Sequence, residues 1–150
     1  MMLLDTNIVS AFLHRDASKK TPKLFAFVTG RLLTDGLAIS HVTQFELRRG
    51  IEELVRRGEG RRMLVAFEKF MERVQLLGLD AGWGEGWNLA ARLWAEGRSQ
   101  KPALKLTDAD LLIAATAAFH SHELATADAK LAEGLKRISF PVTVSLVPME

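Results

Sequence analysis

Residues 1–10 read MMLLDTNIVS. Apolar residues lead straight to Asp5, polar Thr6 and Asn7 follow, and apolar residues resume at Ile8. A short apolar run bounded in this way reads as a strand buried on both faces. "MLLDT" is therefore expected as strand and "NIVSAFLHR" as the helix that follows it. A carboxylate delivered to the end of a buried strand is costly unless something pairs with it. Asp5 either starts the next helix as its cap or faces something positive.

The same alternation repeats along the chain. "TPKLFAFVTGRLLTDG" has Thr21 in the capping position, Pro22 at the first helical position and Gly36 past the end, which are helix punctuation marks. "LAIS" reads as a second strand, "HVTQFELRRGIEELVRRG" and "GRRMLVAFEKFMERV" as helices, and "VQLLGLD" as a third strand. "EGWNLAARLWAEG" reads as a helix and "SQKPALKL" as a basic loop. "TDADLLIAATAAFHSH" reads as a helix whose almost wholly apolar body predicts burial. "ELATA" is a fourth strand, "DAKLAEGLKRI" a helix and "VTVSLV" a fifth strand ended by Pro148. Short apolar strands alternating with helices predict an α/β domain with a mainly parallel sheet covered on both faces. The 150 residues suit one domain, 1–150.

Composition narrows the chemistry. The chain has no Cys, which excludes disulfides, Cys-ligated zinc and thiol nucleophiles and fits a reducing cytoplasm. No apolar run approaches the roughly 18 residues of a membrane span, and the start lacks the charge and apolar pattern of a signal peptide. A cytoplasmic protein is the expectation. There are 20 basic and 18 acidic residues. If four acids belong to one site, 20 basic residues face 14 remaining acidic ones, an excess of six. A mildly basic surface around an acidic pocket suits a polyanionic substrate.

In parallel sheets, ligands bind beyond the carboxyl ends of the strands, and four acids are predicted to meet there. Asp5 ends the first strand and Asp128 directly follows the fourth. Glu46 lies six residues past the second strand. Asp110 sits near the start of a helix that feeds the fourth strand, so that helix begins at the carboxyl edge. Each acid alone has a plainer explanation. Asp5 and Asp128 could cap helices, and Thr43–Glu46 and Thr107–Asp110 have the spacing of capping boxes. Capping, however, requires neither acids nor their gathering at one edge. Clustered carboxylates repel unless a cation lies among them, and hard oxygen ligands select Mg²⁺ or Mn²⁺. Such an ion can assist phosphodiester hydrolysis.

Four motifs, "LLDTNIVS", "SHVTQFELRRGI", "DLLIAATA" and "LATAD", stand in an order and spacing that resemble the PIN-domain nucleases, in particular VapC-type toxins of bacterial type II toxin–antitoxin pairs. The resemblance covers nearly the whole chain. It implies a three-layer α/β/α sandwich and a Mg²⁺- or Mn²⁺-dependent endoribonuclease leaving a 5′-phosphate and a 3′-hydroxyl. It also implies a homodimer and a cognate VapB-type antitoxin. By motif position the family's catalytic, metal-binding quartet falls on Asp5, Glu46, Asp110 and Asp128, with Asn7 and Thr126 at its supporting polar positions. The family often has a basic residue where Ala127 stands. Asp108 and Asp110 point about 200° apart on a helix, and the family spacing to Ile113 selects Asp110.

Among other features, Arg48, Arg49, Arg56 and Arg57 form i,i+4 ladders with Glu52 and Glu53, a self-paired solvated face. Arg61 and Arg62 lack such partners in the sequence. Arg98, Lys101 and Lys105 lead towards Asp110 and are candidate phosphate contacts. Trp87, Ala90, Ala91 and Trp94 have the spacing of a buried helix stripe, and core packing is expected of them. The resemblance adds an antitoxin groove that Trp83 could also line. "GWGEGW" is not a phosphate loop, because Trp87 replaces the last Gly. Rival readings are a nuclease of this type acting on DNA, a binding protein without catalysis, and a receiver-like phosphoacceptor domain. The last would use Asp80 but lacks a Lys after the fifth strand.

Overall fold

A computed structural model describes residues 1–80, 82–138 and 141–149. Its elements in chain order are β1 (Met2–Leu4), α1 (Thr6–Phe12), α2 (Ala17–Lys20), α3 (Pro22–Leu33), β2 (Leu37–Ser40), α4 (His41–Arg56) and α5 (Arg61–Met71). They continue as β3 (Gln75–Leu77), α6 (Glu85–Arg98), α7 (Asp108–Phe119), β4 (Glu123–Thr126), α8 (Ala129–Lys136) and β5 (Val144–Leu146). The five strands form one sheet in the order β3-β2-β1-β4-β5. Every pairing is parallel: Leu3 lies opposite Ala38 on one side and Leu124 on the other.

Strand alternation assigns side chains to two cores. Met2 and Leu4 of β1, Leu37 and Ile39 of β2 and Ala125 of β4 face a cluster built from α1, α3, α5 and Ile51 of α4. Leu3, Ala38 and Leu124 face the opposite cluster, with α6, α7 and α8. Both faces of the sheet are thus covered, as the strand composition predicts, and the layering is the α/β/α sandwich that the family resemblance implies. The body of α7 is buried nearly all round, at Leu111, Ile113, Ala114, Ala115, Thr116 and Ala117. Thr116 is tolerated there because its hydroxyl donates to the Leu112 carbonyl at 2.7 Å.

Several local expectations change. The helix after Asp5 ends at Phe12, and the short α2 follows a turn. Pro22 does open α3, but the Thr21 hydroxyl turns back to the Ala17 carbonyl rather than capping. Gly36 closes the other end, with φ +77° and its N–H on the Arg31 carbonyl at 2.8 Å. The third strand is only three residues long and lies at the sheet edge.

The tryptophans of α6 are the largest correction. Its buried residues are Gly86, Ala90, Leu93 and Gly97, whereas Trp87 and Trp94 are 50% and 49% exposed. A Cβ on Gly86 would lie 2.4 Å from the Leu79 carbonyl oxygen. The close-packed face therefore takes small residues, and the indoles are turned to the flank. Ala90 belongs to both stripes, which is why the sequence spacing fits either.

Candidate active site

In the strand order, β1 lies between β2 and β4. The chain first moves from β1 towards β2 and β3, then crosses to β4 and β5 on the other side. The switch point lies between β1 and β4, where parallel sheets open a crevice beyond their carboxyl ends. Asp5 and Asp128 sit on its two sides, directly after Leu4 of β1 and two residues beyond the end of β4. The Asp5 amide extends the ladder by donating to the Ala125 carbonyl at 2.9 Å.

Asp5 is 4% exposed. Its Oδ1 accepts from the Thr6 amide at 2.8 Å and its Oδ2 from the Thr126 hydroxyl at 2.7 Å. The Thr126 oxygen in turn accepts from the Asp128 amide at 3.1 Å. Asp128 also caps α8, its Oδ1 accepting from the amides of Lys130 and Leu131 at 3.0 and 3.1 Å. The capping explanation thus holds for Asp128 and Asp5, and both remain at the crevice.

Glu46 is tied to the same group through a residue to which the sequence assigned no role. The Thr6 hydroxyl donates to Glu46 Oε1 at 2.7 Å and lies 2.9 Å from the Thr43 hydroxyl. The Ser40 hydroxyl donates to the Thr43 hydroxyl at 3.3 Å. A carboxylate only accepts, so the protons run in one direction, from Ser40 through Thr43 and Thr6 to Glu46. The capping box that is the plainer alternative for Thr43–Glu46 is absent, because Ser40 caps α4 by accepting from the Thr43 amide at 3.0 Å. This frees the Glu46 side chain for Thr6, with Arg49 3.8 Å away on its other oxygen. Thr6 therefore holds Asp5 by its amide and Glu46 by its hydroxyl. The signal in sequence was only a Thr placed directly after the strand-end Asp.

Asp110 lies in the first turn of α7, which Thr107 caps by accepting from the Asp110 amide at 3.1 Å. Burial raises the pKa of Asp110 above the ordinary carboxylate value, and the charges of Asp128 and Glu46 raise it further against the opposing Thr107 hydroxyl. Burial likewise raises Asp5, opposed by Thr126 and Thr6 and reinforced by the charges of Asp110 and Glu46. The four acids thus share one electrostatic field. Asp108 is exposed and is not among the charges acting on Asp5 or Asp110. Asp80 is engaged elsewhere, accepting from the Trp87 indole N–H at 2.8 Å.

The donor set fits a hard cation. It is all oxygen, two of its carboxyls are disfavoured as bare anions, and Asn7 Oδ1 is buried without a hydrogen-bond partner among the described residues. Among those residues no three His, Asp or Glu side chains are gathered tightly enough to hold an ion by themselves. Binding would therefore need the carboxylates to draw inward or water to complete the shell.

The basic candidates lie apart on exposed segments. Arg98 ends α6 with its guanidinium 5.2 Å from the Trp94 ring centre, and Lys101 and Lys105 are exposed in the loop before α7. On α4, Arg48 pairs with Glu52 and Arg57 with Glu53. Arg49 turns to Glu46 and the Phe45 ring rather than towards Glu53. Arg62 is tied to the Leu13 carbonyl. Among the described residues no helix is long and apolar enough to cross a membrane.

The fold has known counterparts. VapBC2 from Rickettsia felis, bound to a DNA fragment from its promoter, matches with a TM-score of 0.75 at 21% identity over 97% of each chain. DNA-bound VapBC from Salmonella typhimurium matches with a TM-score of 0.73 at 20% identity over 96% of each chain. FitAcB from Neisseria gonorrhoeae matches with a TM-score of 0.69 at 24% identity over 96% of each chain. No curated protein is significantly similar in sequence. The profile of the PIN domain matches residues 2–136, and the chain belongs to the PIN domain family.

Proposed function

We propose that this protein is a Mg²⁺- or Mn²⁺-dependent endoribonuclease and the toxin of a toxin–antitoxin pair. The observation that carries the reading is the four-acid crevice at the β1/β4 switch point, with Asp5 buried in its β1 side. PIN family membership supports nuclease chemistry, and the likeness to VapBC complexes supports a VapB-type antitoxin partner. A homodimer and a cytoplasmic setting are part of the same proposal.

Asp5, Asp110, Asp128 and Glu46 would hold the ion, which would offset their mutual repulsion and supply Lewis acidity towards a phosphodiester. The chain's own residues do the positioning. Thr126 and the Thr6 amide fix both oxygens of Asp5, leaving each a further lone pair to direct at a ligand. The hydroxyl sequence from Ser40 to Thr6 orients Glu46, and the α8 cap holds Asp128 at the crevice rim.

The test is incubation of the chain with single-stranded RNA and DNA in Mn²⁺ and in EDTA, beside Asp5→Asn. RNA should be cut only with Mn²⁺, and only by the unaltered chain. Preferential cutting of DNA would overturn the substrate assignment. Equal inertness of both proteins on every RNA would overturn the nuclease reading in favour of a binding role.

A further inference from the structure

We propose that the flank of α6 carrying Trp87, Trp94 and Arg98, continued by Lys101 and Lys105, is a stacking track for single-stranded RNA outside the scissile site. The proposal takes its ligand from the RNA reading above. All three tryptophans of the chain lie here, at 83, 87 and 94, and they are 96%, 50% and 49% exposed. Indoles left this far in water keep much of their apolar area unburied. Trp87 is held in place by its N–H on Asp80 at 2.8 Å. Trp94 carries Arg98 5.2 Å from its ring centre, so a planar cation and a π-face stand together at the end of the helix.

Charge favours nucleic acid over a protein occupant. Between Asp80 and Thr107 the chain has four cations, Arg92, Arg98, Lys101 and Lys105, against three anions, Asp80, Glu85 and Glu96. Three of the cations follow one another without an anion from Arg98 to Lys105. Protein interfaces are enriched in Trp and Arg but depleted in Lys, so Lys101 and Lys105 beside the indoles favour a polyanion over a protein. The basic loop is anchored, with the Leu104 amide on the Gly97 carbonyl at 2.8 Å and Arg137 on the Pro102 carbonyl at 2.8 Å. It runs directly into the first turn of α7, which carries Asp110. The other end of the flank carries Asp80 and Glu85, which repel phosphates. The nucleotide backbone therefore follows the Arg98–Lys105 end, with Trp94 as the stacking platform beside it and Trp87 as the far end of the track, where a terminal base would stack. Aromatic stacking with a basic groove is how single strands are held without sequence readout.

The chain has no Tyr and its three Trp all lie on or beside this track, so its intrinsic fluorescence reports there. The intact protein in EDTA is titrated with 12-nucleotide oligo(A) and oligo(U), while anisotropy of a labelled oligomer measures total binding. Saturable quenching is expected, weakening as salt rises. Trp94→Ala should lower affinity about 5- to 150-fold, and Trp94→Phe should retain most of it. Arg98→Ala should weaken binding and flatten the salt dependence. Circular dichroism checks that the variants are folded. Binding seen by anisotropy with unchanged fluorescence, or undiminished in Trp94→Ala, overturns the track. So does a Trp94→Ala protein that keeps RNA affinity but changes oligomeric state, which would make the face a protein interface. Cleavage in Mn²⁺ without quenching removes the track and leaves the nuclease reading. Quenching without cleavage in any metal supports the track and removes that reading.

Discussion

Replacing Thr126 by Val keeps the shape of a fully buried side chain and removes one hydroxyl. That hydroxyl has two duties, donating to Asp5 Oδ2 at 2.7 Å and accepting from the Asp128 amide at 3.1 Å. A hydrogen bond to a charged group contributes about 1.5–3 kcal/mol and a neutral one about 1 kcal/mol. Asp5 is 4% exposed, so water does little to replace the lost donor. The expected loss in metal-free buffer at neutral pH is about 2–4 kcal/mol. The loss depends on pH in a defined direction. The Thr126 hydroxyl favours the ionised form of Asp5, so its removal raises the Asp5 pKa further. The destabilisation is complete above the folded pKa values of both proteins. It shrinks as pH falls through them, because Asp5 is then protonated with or without the donor. Thr126→Ser keeps the hydroxyl and should lose much less at neutral pH. Urea unfolding of the three proteins in EDTA, from neutral pH into the carboxylate range, measures these differences. Val and Ser variants of equal stability at neutral pH, or a Val deficit that does not change with pH, would contradict the role given to Thr126. A Val deficit at neutral pH unchanged in an Asp5→Asn background would do the same.

Other outcomes follow from the same geometry. The raised pKa of Asp5 means that its contribution to stability is present below the ordinary value of 3.8 and is lost as pH rises through the folded value. Ionised Asp5 therefore works against the metal-free fold, and Asp5→Asn should unfold at the same or a higher temperature than the unaltered chain in EDTA at neutral pH, which calorimetry would show. Thr6→Val removes the donor that orients Glu46 and should weaken Mn²⁺ binding or metal-activated cleavage about 10- to 100-fold. That change is read from a Mn²⁺ titration of either signal. On α6, Leu93→Ala should cost about 2–5 kcal/mol in urea unfolding. The half-exposed Trp94→Ala should cost clearly less, and equal losses would contradict the register of that helix. Gly86→Ala places a Cβ 2.4 Å from a backbone carbonyl and should destabilise by about 1–3 kcal/mol.

The features that survive from sequence to structure are those set by local composition. Apolar segments such as "LAIS" and "ELAT" became parallel strands, and parallel topology alone brought Asp5 and Asp128 to one edge and the start of α7 to meet them. Thr107, Pro22 and Gly36 kept their positions because caps and turns are decided within a few residues. What escaped depends on contacts between distant elements. The Thr6–Glu46 bond joins residues 40 apart, and nothing near either one in sequence announces it. The capping-box alternative at Thr43–Glu46 fails because Ser40 takes the Thr43 amide, and the Thr43 hydroxyl instead stands beside that of Thr6. The α6 stripe was misplaced because periodicity locates an apolar face without telling whether large or small residues will be inside. Close approach to Leu79 at Gly86 decides for the small ones.

The central claim is that Asp5, Glu46, Asp110 and Asp128 act together as one cation site. Anomalous diffraction at the manganese edge, from crystals of the intact protein soaked in Mn²⁺, tests it most directly. A peak in the β1/β4 crevice within about 2.0–2.3 Å of Asp5 and Asp110 oxygens, with Asp128 and Glu46 in contact directly or through water, is the predicted result. Saturating Mn²⁺ that leaves the crevice without a peak, and the carboxylates where they stand in the metal-free fold, would contradict it.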